Sequence, residues 1–154
     1  LPKRIQTILQ RNEMINKSKN DEVKKVEVVA AIIYFKDKIL CVQRPENKLS
    51  YISEKFEFPG GKIEKGESKE DALKRELFEE LNFVPTKIDN LFLTVVHEYP
   101  DFELTMHSFK CYSETMNIQL NEHISSQWLP LEKLIEIDWA AADIPIVNRL
   151  VKNE

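Results

Sequence analysis

All three glycines of this 154-residue chain lie within seven consecutive positions, in the segment FEFPGGKIEKGE that spans residues 56–67. Gly60 and Gly61 directly follow Pro59, and Gly66 comes five residues later. A glycine has no β-carbon, so its backbone adopts angles and makes close approaches that other residues cannot. The remaining turns must use residues such as Pro, Asp, Asn and Lys. We predict that this segment is a loop whose bare backbone meets a ligand or a metal ion.

The overall composition is typical of one globular domain. Hydrophobic residues make up 42% of the chain and charged residues 31%, which is enough for one well-filled core. No apolar run approaches the roughly 20 residues that span a bilayer, and the first residues do not follow the pattern of a secretory signal. Cys41 and Cys111 stand alone, without the spacing of a zinc or redox site, so we expect both in the core. These features predict a cytoplasmic protein that does not bind membranes.

The first 25 residues differ in charge from the rest of the chain. They carry seven Lys or Arg against three Asp or Glu, whereas the whole chain has a net charge of −4. We predict a basic N-terminal extension and linker at residues 1–25 and a folded domain at residues 26–152. A solvated or partner-packed extension is the favoured interpretation, and contact with nucleic acid is the alternative. A short amphipathic helix is expected there, with one face formed by Ile5, Ile8, Leu9 and Ile15.

Two β-hairpins are indicated by segments rich in β-branched and apolar residues. VEVVAAIIYF, which begins at Val26, is followed by the polar turn KDK and by the second strand pattern ILCVQR. LFLTVVHEYPDFELTMHSFKCY repeats this arrangement with Pro100 and Asp101 at its turn. Helices are expected in LPLEKLIEI, in DIPIVNRLVKN and between Ser68 and Leu81. The pattern predicts an α/β domain in which helices pack on a mixed or antiparallel sheet.

The helix predicted from Ser68 to Leu81 places three carboxylates on one face. Glu76, Glu79 and Glu80 fall within an arc of roughly 100° at about 100° per residue. Like charges at these spacings repel, and a hard divalent cation such as Mg²⁺ or Mn²⁺ offsets that repulsion because it takes oxygen ligands. The alternative is a solvated acidic face. In that case the charges are neutralised by Lys69, Lys74 and Arg75.

The segment GKIEKGESKEDALKRELFEELNF, residues 61–83, resembles the signature of the Nudix hydrolase family. That signature is Gly, five residues, Glu, seven residues, then Arg-Glu-apolar-any-Glu-Glu-any-Gly-apolar. One position departs from it, since Asn82 stands where glycine is usual; Asn tolerates the left-handed conformation that ends a helix. The resemblance is closest to the MutT-like branch of 8-oxo-dGTP diphosphatases and CTP pyrophosphohydrolases. It implies a Nudix fold, a mixed β-sheet sandwiched between helices. The matching positions are Gly61, Glu67, Arg75, Glu76, Leu77, Glu79, Glu80 and Phe83.

The resemblance also implies a reaction and a catalytic site. The expected reaction is Mg²⁺-dependent, with Mn²⁺ as a substitute, and converts a nucleoside triphosphate and water into the monophosphate and pyrophosphate. Arg75 is expected to pair with Glu67. Glu79 and Glu122 are both candidates for the general base, and the residues do not decide between them. The implied metal ligands are the Gly60 carbonyl and the carboxylates of Glu76, Glu79, Glu80 and Glu122.

A substrate pocket is implied at five further positions. Each of three candidates also has a structural role to weigh: Phe58 as core, Asp101 as a turn former, and Asp143 as the N-cap of the last helix. An ionised Asp143 only accepts hydrogen bonds, which suits the amine of cytosine or adenine, whereas a protonated one also donates to guanine. The choice between 8-oxo-dGTP and cytidine triphosphates therefore stays open. The implied pocket residues are Arg44, Phe58, Lys62, Asp101 and Asp143.

Two other functions are compatible with the same signature. A Nudix-like regulatory module would sense a nucleotide while the basic extension contacts a partner, and it would have no chemical need for the three helix carboxylates. A diphosphatase acting on ADP-ribose-type substrates is the second, although no residue specifically favours it. Both a monomer and a homodimer are compatible with the sequence.

Overall fold

The computed structural model of the chain describes residues 23–153. The predicted amphipathic helix with Ile5, Ile8, Leu9 and Ile15 lies outside these residues. The boundary between an extension at residues 1–25 and a domain at residues 26–152 therefore stays a prediction. No helix in the described part of the chain is both long and apolar enough to cross a membrane.

The described chain forms one mixed sheet with the strand order β3-β2-β1-β6-β5, in which β4 also pairs with β1 and β7 with β2. Both predicted hairpins are confirmed, because β1 pairs antiparallel with β2 and β5 antiparallel with β6. The pair β1–β6 is parallel, which makes the sheet mixed. The strands are β1 Lys25–Phe35, β2 Lys38–Gln43, β3 Phe56–Glu57, β4 Gly60–Lys62, β5 Lys87–Glu98, β6 Glu103–Tyr112 and β7 Ser125–Pro130.

The central strand β1 is buried on both faces, which explains its nearly continuous apolar sequence. Successive side chains of a strand point to opposite faces, so β1 supplies two separate cores. Val28, Ala30 and Ile32 belong to one core, and Val29, Ala31 and Ile33 to the other. Helices cover both cores, as the predicted α/β class requires. Cys41 and Cys111 are buried, one in each core, and neither forms a disulfide.

The helix α1, Lys69–Leu81, is delimited by both of its predicted caps. The Ser68 hydroxyl accepts a hydrogen bond from the Asp71 amide at 3.1 Å, which satisfies one N–H of the first turn. Asn82 ends the helix in the left-handed conformation, at φ 51° and ψ 42°, so it replaces the glycine usual at this position at small cost. Leu73, Leu77 and Leu81 are fully buried against the sheet. This packing fixes which face of α1 carries the carboxylates.

The C-terminal part of the chain covers the opposite face of the sheet. The segment expected to be a short helix, LPLEKLIEI, is a 3₁₀ helix at Leu131–Glu136. A second 3₁₀ turn, Ala141–Asp143, leads directly into α2 at Ile144–Asn153. α2 buries Ile146, Val147 and Leu150 in the core that contains Phe58.

Candidate active site

The backbone of Gly60 lies between β1 and the carboxylate helix. The Ala31 amide donates to the Pro59 carbonyl at 2.8 Å, and Gly60 stands opposite Ala30 in the next position of the ladder. Hydrogen-bonded positions of an antiparallel pair alternate with positions whose N–H and C=O both point away from the partner strand. Gly60 holds a position of the second kind, and its N–H donates to Oε2 of Glu80 at 3.2 Å. Its carbonyl is therefore directed to the same side as the Glu80 carboxylate.

Gly60 and Gly61 lie in strand β4 and not in the predicted loop, and the space that each β-carbon would fill is taken by other atoms. A β-carbon at Gly60 would lie 1.9 Å from the carbonyl oxygen of Val29, so only glycine lets the two backbones approach. A β-carbon at Gly61 would lie 2.4 Å from the carboxyl carbon of Glu76. The space left by Gly61 is thus filled by a side chain of the predicted metal site. Gly66 is favoured for a different reason: its φ of 84° is a backbone angle that other residues rarely adopt.

The three carboxylates of α1 differ in exposure. Glu76 and Glu80 are 3% and 1% exposed, whereas the Glu79 side chain keeps 35% of its surface in contact with solvent. Burying ionised carboxylates is costly unless they are paired. Arg75 pairs with Glu76 and the Gly60 amide donates to Glu80, whereas Glu79 is the member of the set that solvent can reach most readily.

Arg75 links the carboxylates of α1 to strand β4 and to the loop that follows it. Its Nε and Nη2 donate to the two carboxylate oxygens of Glu67 at 2.7 and 2.9 Å, which forms a bidentate pair. Nη1 donates to Glu76 at 2.7 Å and lies 3.5 Å from Glu79. Nη2 also donates to the backbone carbonyl of Lys62 at 3.0 Å. The expected pairing of Arg75 with Glu67 is confirmed, and the same guanidinium neutralises two carboxylates of α1.

The ionisation of Glu67 is strongly favoured by this pair. The hydrogen bonds from Arg75 lower the pKa of Glu67 to about 2, with a further contribution from the Glu64 amide, which donates to it at 2.9 Å. The same contact raises the pKa of Arg75 above its ordinary value. Glu67 and Arg75 therefore stay charged throughout the physiological pH range, and together they hold the loop against α1.

Glu122 lies in the loop between β6 and β7 and is half-buried. The preceding residue, Asn121, donates its backbone N–H to the carbonyl of Glu80 at 3.0 Å. This bond brings the loop to the C-terminal end of α1. The sequence separates Glu122 from Glu80 by 42 residues, and the fold returns it to the helix that carries the other three carboxylates.

The donor chemistry of this region fits a hard divalent cation. Carboxylate and backbone carbonyl oxygens are the ligands that Mg²⁺ prefers, and the region offers the carboxylates of α1 beside the Gly60 backbone. Among residues 23–153, no three Asp, Glu, His or Cys side chains already converge on one metal-sized point. The Arg75 guanidinium lies 2.7 Å from Glu76 and 3.5 Å from Glu79 in this arrangement. The oxygen donors thus fit the predicted metal by type.

Two of the predicted pocket residues, Phe58 and Asp143, contact each other. The Phe58 amide donates to Oδ1 of Asp143 at 3.0 Å, across 85 positions of sequence. Asp143 is 1% exposed, and the fully buried Phe58 ring stacks on Trp139 with a centroid distance of 4.6 Å. Phe58 is therefore a core residue in this structure. Its stacking on a substrate base stays a prediction.

Asp101 is at the turn between β5 and β6, where its carboxylate accepts a hydrogen bond from the Tyr51 hydroxyl. The Tyr51 ring stacks on Tyr99 at 5.3 Å, and the Tyr99 hydroxyl in turn accepts the Ala142 amide at 3.0 Å. Burial and the Asp101 carboxylate both raise the pKa of Tyr51. The turn-forming role of Asp101 is thus combined with a contact that closes the loop after β2 over the hairpin.

Arg44 belongs to a buried cluster that contains two residues absent from the predicted site. Its Nε and Nη2 contact Oε1 of Glu57 at 2.8 and 2.7 Å, and Nε2 of His123 contacts Oε2 of Glu57 at 2.8 Å. The side chains of Arg44, Glu57 and His123 are 3%, 2% and 0% exposed. A signal for Glu57 existed, because it is a charge between two buried phenylalanines and must be paired there. His123 carried no comparable signal, since its partner lies 66 positions away.

Comparisons with known proteins agree with this geometry. A family model for the NUDIX domain matches residues 24–150. The CTP pyrophosphohydrolase of Escherichia coli (strain K12) is 35% identical over 126 residues, which cover 82% of this chain and 91% of that protein. The 8-oxo-dGTP diphosphatase of the same strain is 30% identical over 128 residues, or 83% of this chain and 98% of that protein.

Solved structures agree with the same assignment. The crystal structure of the MutT protein from Methanosarcina mazei Go1 superposes with a TM-score of 0.75 and 25% identity, covering 87% of this chain and 98% of that one. Strand β4, the Arg75–Glu67 pair and the carboxylate helix lie inside residues 24–150, which the family model matches. The chain therefore belongs to the NUDIX domain family and is a Nudix hydrolase.

Proposed function

We propose that this protein is a Mg²⁺-dependent nucleoside triphosphate pyrophosphohydrolase that prefers cytidine triphosphates. The reaction converts the triphosphate and water into the monophosphate and pyrophosphate. The observation that supports it most strongly is the position of Glu80 and Glu76 against the Gly60–Gly61 backbone, beside the more exposed Glu79. A nucleotide-binding module without chemistry gains nothing from burying charged groups in this arrangement.

The residues that would hold the metal are the Gly60 carbonyl and the carboxylates of Glu76, Glu79, Glu80 and Glu122. When bound, such an ion neutralises the polyphosphate and lowers the pKa of a water molecule. Mn²⁺ is expected to substitute for Mg²⁺, because both take oxygen ligands. The chain itself supplies the fixed positions of these donors.

The paired Arg75 and Glu67 have a positioning role in this proposal. Their bidentate contact ties the loop after β4 to α1, and the third guanidinium nitrogen orients Glu76. The general base would be Glu79 or Glu122, which are the two acids outside the most deeply buried part of the site. Glu79 is the more accessible of the two to water, since one carboxylate oxygen of Glu122, Oε2, is buried.

The preference for cytidine rests on Asp143. Its Oδ1 accepts the Phe58 amide, a contact that the ionised and the protonated carboxyl both allow, and we propose that Asp143 is ionised. An ionised aspartate presents only acceptors, which complement the N4 amine of cytosine and oppose O6 and N7 of guanine. The relative that is 35% identical and named CTP pyrophosphohydrolase supports the same choice.

The test is pyrophosphate release by the purified full chain with Mg²⁺ from CTP, dCTP, 5-methyl-dCTP, 8-oxo-dGTP, dGTP and ADP-ribose. We expect the cytidine triphosphates to give the highest kcat/KM and Glu79→Gln to reduce kcat by at least about 100-fold. Preferred turnover of 8-oxo-dGTP would overturn the cytidine assignment but keep the reaction. Turnover of ADP-ribose alone, or no turnover with Glu79→Gln equal to the parent, would overturn the triphosphatase itself.

A further inference from the structure

The loop that carries Glu122 is tied to the rest of the protein on both sides of this residue. Asn121 and His123 are its direct neighbours in sequence, and each makes hydrogen bonds to a different part of the fold. Consecutive Cα atoms are about 3.8 Å apart, so a residue between two anchored neighbours has little freedom to move. The backbone position of Glu122 is thus restricted by the contacts of its two neighbours.

The first anchor uses the C-terminal end of the carboxylate helix. The last carbonyls of an α-helix lack partners within the helix and must be satisfied from outside. Asn121 donates its backbone N–H to the Glu80 carbonyl at 3.0 Å and its side-chain Nδ2 to the Glu79 carbonyl at 2.8 Å. Gln119 donates to the Leu81 carbonyl at 3.0 Å. The loop therefore caps the turn of α1 that presents Glu79 and Glu80.

The second anchor is the buried cluster of Arg44, Glu57 and His123. Glu57 accepts from Arg44 through one carboxylate oxygen and from Nε2 of His123, at 2.8 Å, through the other. All three side chains are almost fully buried. The His123 contact resists opening, because its loss would leave one oxygen of a buried carboxylate without its hydrogen-bond donor. The anchor at His123 is consequently rigid.

We propose that Asn121 and His123 are positioning residues that together hold the Glu122 carboxylate beside Glu79 and Glu80. This inference rests on the proposed function, because Glu122 is taken there as a metal ligand or general base. It also gives Arg44 and Glu57 an indirect role: they fix the far side of the loop through His123. If this is right, the loss caused by a change at either anchor depends on the presence of the Glu122 carboxylate.

The experiment is a double-mutant cycle in the full chain. Asn121→Ala and His123→Ala are measured in the parent and in Glu122→Gln, with His123→Gln as a conservative variant that keeps an N–H donor for Glu57. In the parent, we expect each alanine variant to lower kcat by about 10- to 100-fold, with KM changed less than threefold, and His123→Gln to recover most of the loss. In Glu122→Gln, the same variants should change kcat by less than threefold.

A second readout does not require turnover. Mn²⁺ binding to the nucleotide-free protein, followed by electron paramagnetic resonance, should weaken about tenfold in the two alanine variants and not further when Glu122→Gln is already present. Asn117→Ala is the matched control, since this exposed residue lies in the same loop and contacts Thr115 through its backbone N–H. It should leave both readouts unchanged.

The outcomes separate this inference from the proposed function. Losses of equal size in the two backgrounds would mean that Asn121 and His123 act independently of Glu122, which would overturn the inference. An unchanged Glu122→Gln variant would overturn it as well. Absence of pyrophosphate release by the parent would instead reject the proposed function, and the cycle would then be decided by Mn²⁺ affinity.

Discussion

Replacing Gly61 with alanine separates the catalytic role of this glycine from its structural role. The added β-carbon would lie 2.4 Å from both Cδ and Oε2 of Glu76 and 2.9 Å from its Cγ. No backbone atom is among these three nearest contacts. Gly61 also does not have a positive φ, so alanine suits its backbone. The conflict falls on the flexible end of one side chain, which is part of the proposed metal site.

The size of the effect follows from this geometry. Ordinary van der Waals contact begins at 3.4 Å, so the Glu76 carboxylate has to retreat by about 1 Å. A displacement of about 1 Å in a catalytic arrangement costs about 100-fold in rate, or about 2.7 kcal/mol in the activation free energy. The free energy of unfolding should change by less than about 1 kcal/mol. Alanine reduces the conformational entropy of the unfolded chain, and this gain of about 0.4–1 kcal/mol offsets the cost of moving the Glu76 side chain.

The assay compares kcat for pyrophosphate release with urea unfolding for three variants that each carry the same substitution. Gly61→Ala is expected to lose activity and keep stability. Gly60→Ala should lose about 3 kcal/mol of unfolding free energy, since its β-carbon would lie 1.9 Å from a backbone oxygen of Val29. Gly66→Ala meets no atom within 4 Å, so only its φ of 84° opposes the change. We expect it to lose about 1–2 kcal/mol with kcat changed less than threefold.

A Gly61→Ala variant with parental kcat would refute the reasoning, since Glu76 would then not need the space beside the Gly61 backbone. An unfolded Gly61→Ala variant would refute it for another reason: the glycine would be required by packing alone. Restored activity in Gly61→Ala at high Mn²⁺ concentration would agree with the displacement of a metal ligand.

Three further predictions follow from single contacts. Arg75 holds the pKa of Glu67 at about 2, against an ordinary value of 4.5. The ionised carboxylate therefore stabilises the fold above about pH 4.5, and this stabilisation is lost as the pH falls to about 2. The difference in unfolding free energy between the parent and Glu67→Gln, from urea titrations, should therefore be constant above about pH 5 and disappear near pH 2; a difference independent of pH would contradict the pairing. Asn82 has a φ of 51°, which glycine adopts readily and valine does not. Asn82→Gly should therefore raise the unfolding free energy by about 0.5 kcal/mol, and Asn82→Val should lower it by about 1–2 kcal/mol. A valine variant with a higher melting temperature than the glycine variant would be inconsistent with the cap. Asp143→Asn should reduce the ratio of kcat/KM for CTP over 8-oxo-dGTP by about tenfold or more, and an unchanged ratio would remove Asp143 from base selection.

Local features of the chain were predictable because their physics acts over a few residues. Ser68 and Asn82 were expected to cap α1, and both do, since a hydroxyl reaching the first turn and a residue tolerant of the left-handed conformation need no distant partner. The face shared by Glu76, Glu79 and Glu80 follows from the helical repeat alone. The resemblance to the Nudix signature added the pairing of Arg75 with Glu67, which the structure contains.

The remaining site residues depend on contacts between distant parts of the chain. The contact of Arg44 with substrate stays a prediction, and its guanidinium also lies against Glu57, a residue that the signature did not single out. Asp101 was weighed as a turn former and also receives the Tyr51 hydroxyl, 50 positions away. Such pairs are set by how the loops pack after the sheet has formed, and no local pattern encodes that packing.

By itself, the sequence of this protein determined the two hairpins, the carboxylate helix with its caps, and the family, because each is written in periodicity or in a contiguous motif. Only the tertiary structure decided why Gly60 and Gly61 must be glycines: the first lies against the Val29 backbone and the second against the Glu76 carboxylate. It also decided that Glu122 returns to α1 between the anchors at Asn121 and His123. The physical reason is the same in both cases, since excluded volume and buried hydrogen bonds act between atoms that are close in space and far apart in the chain.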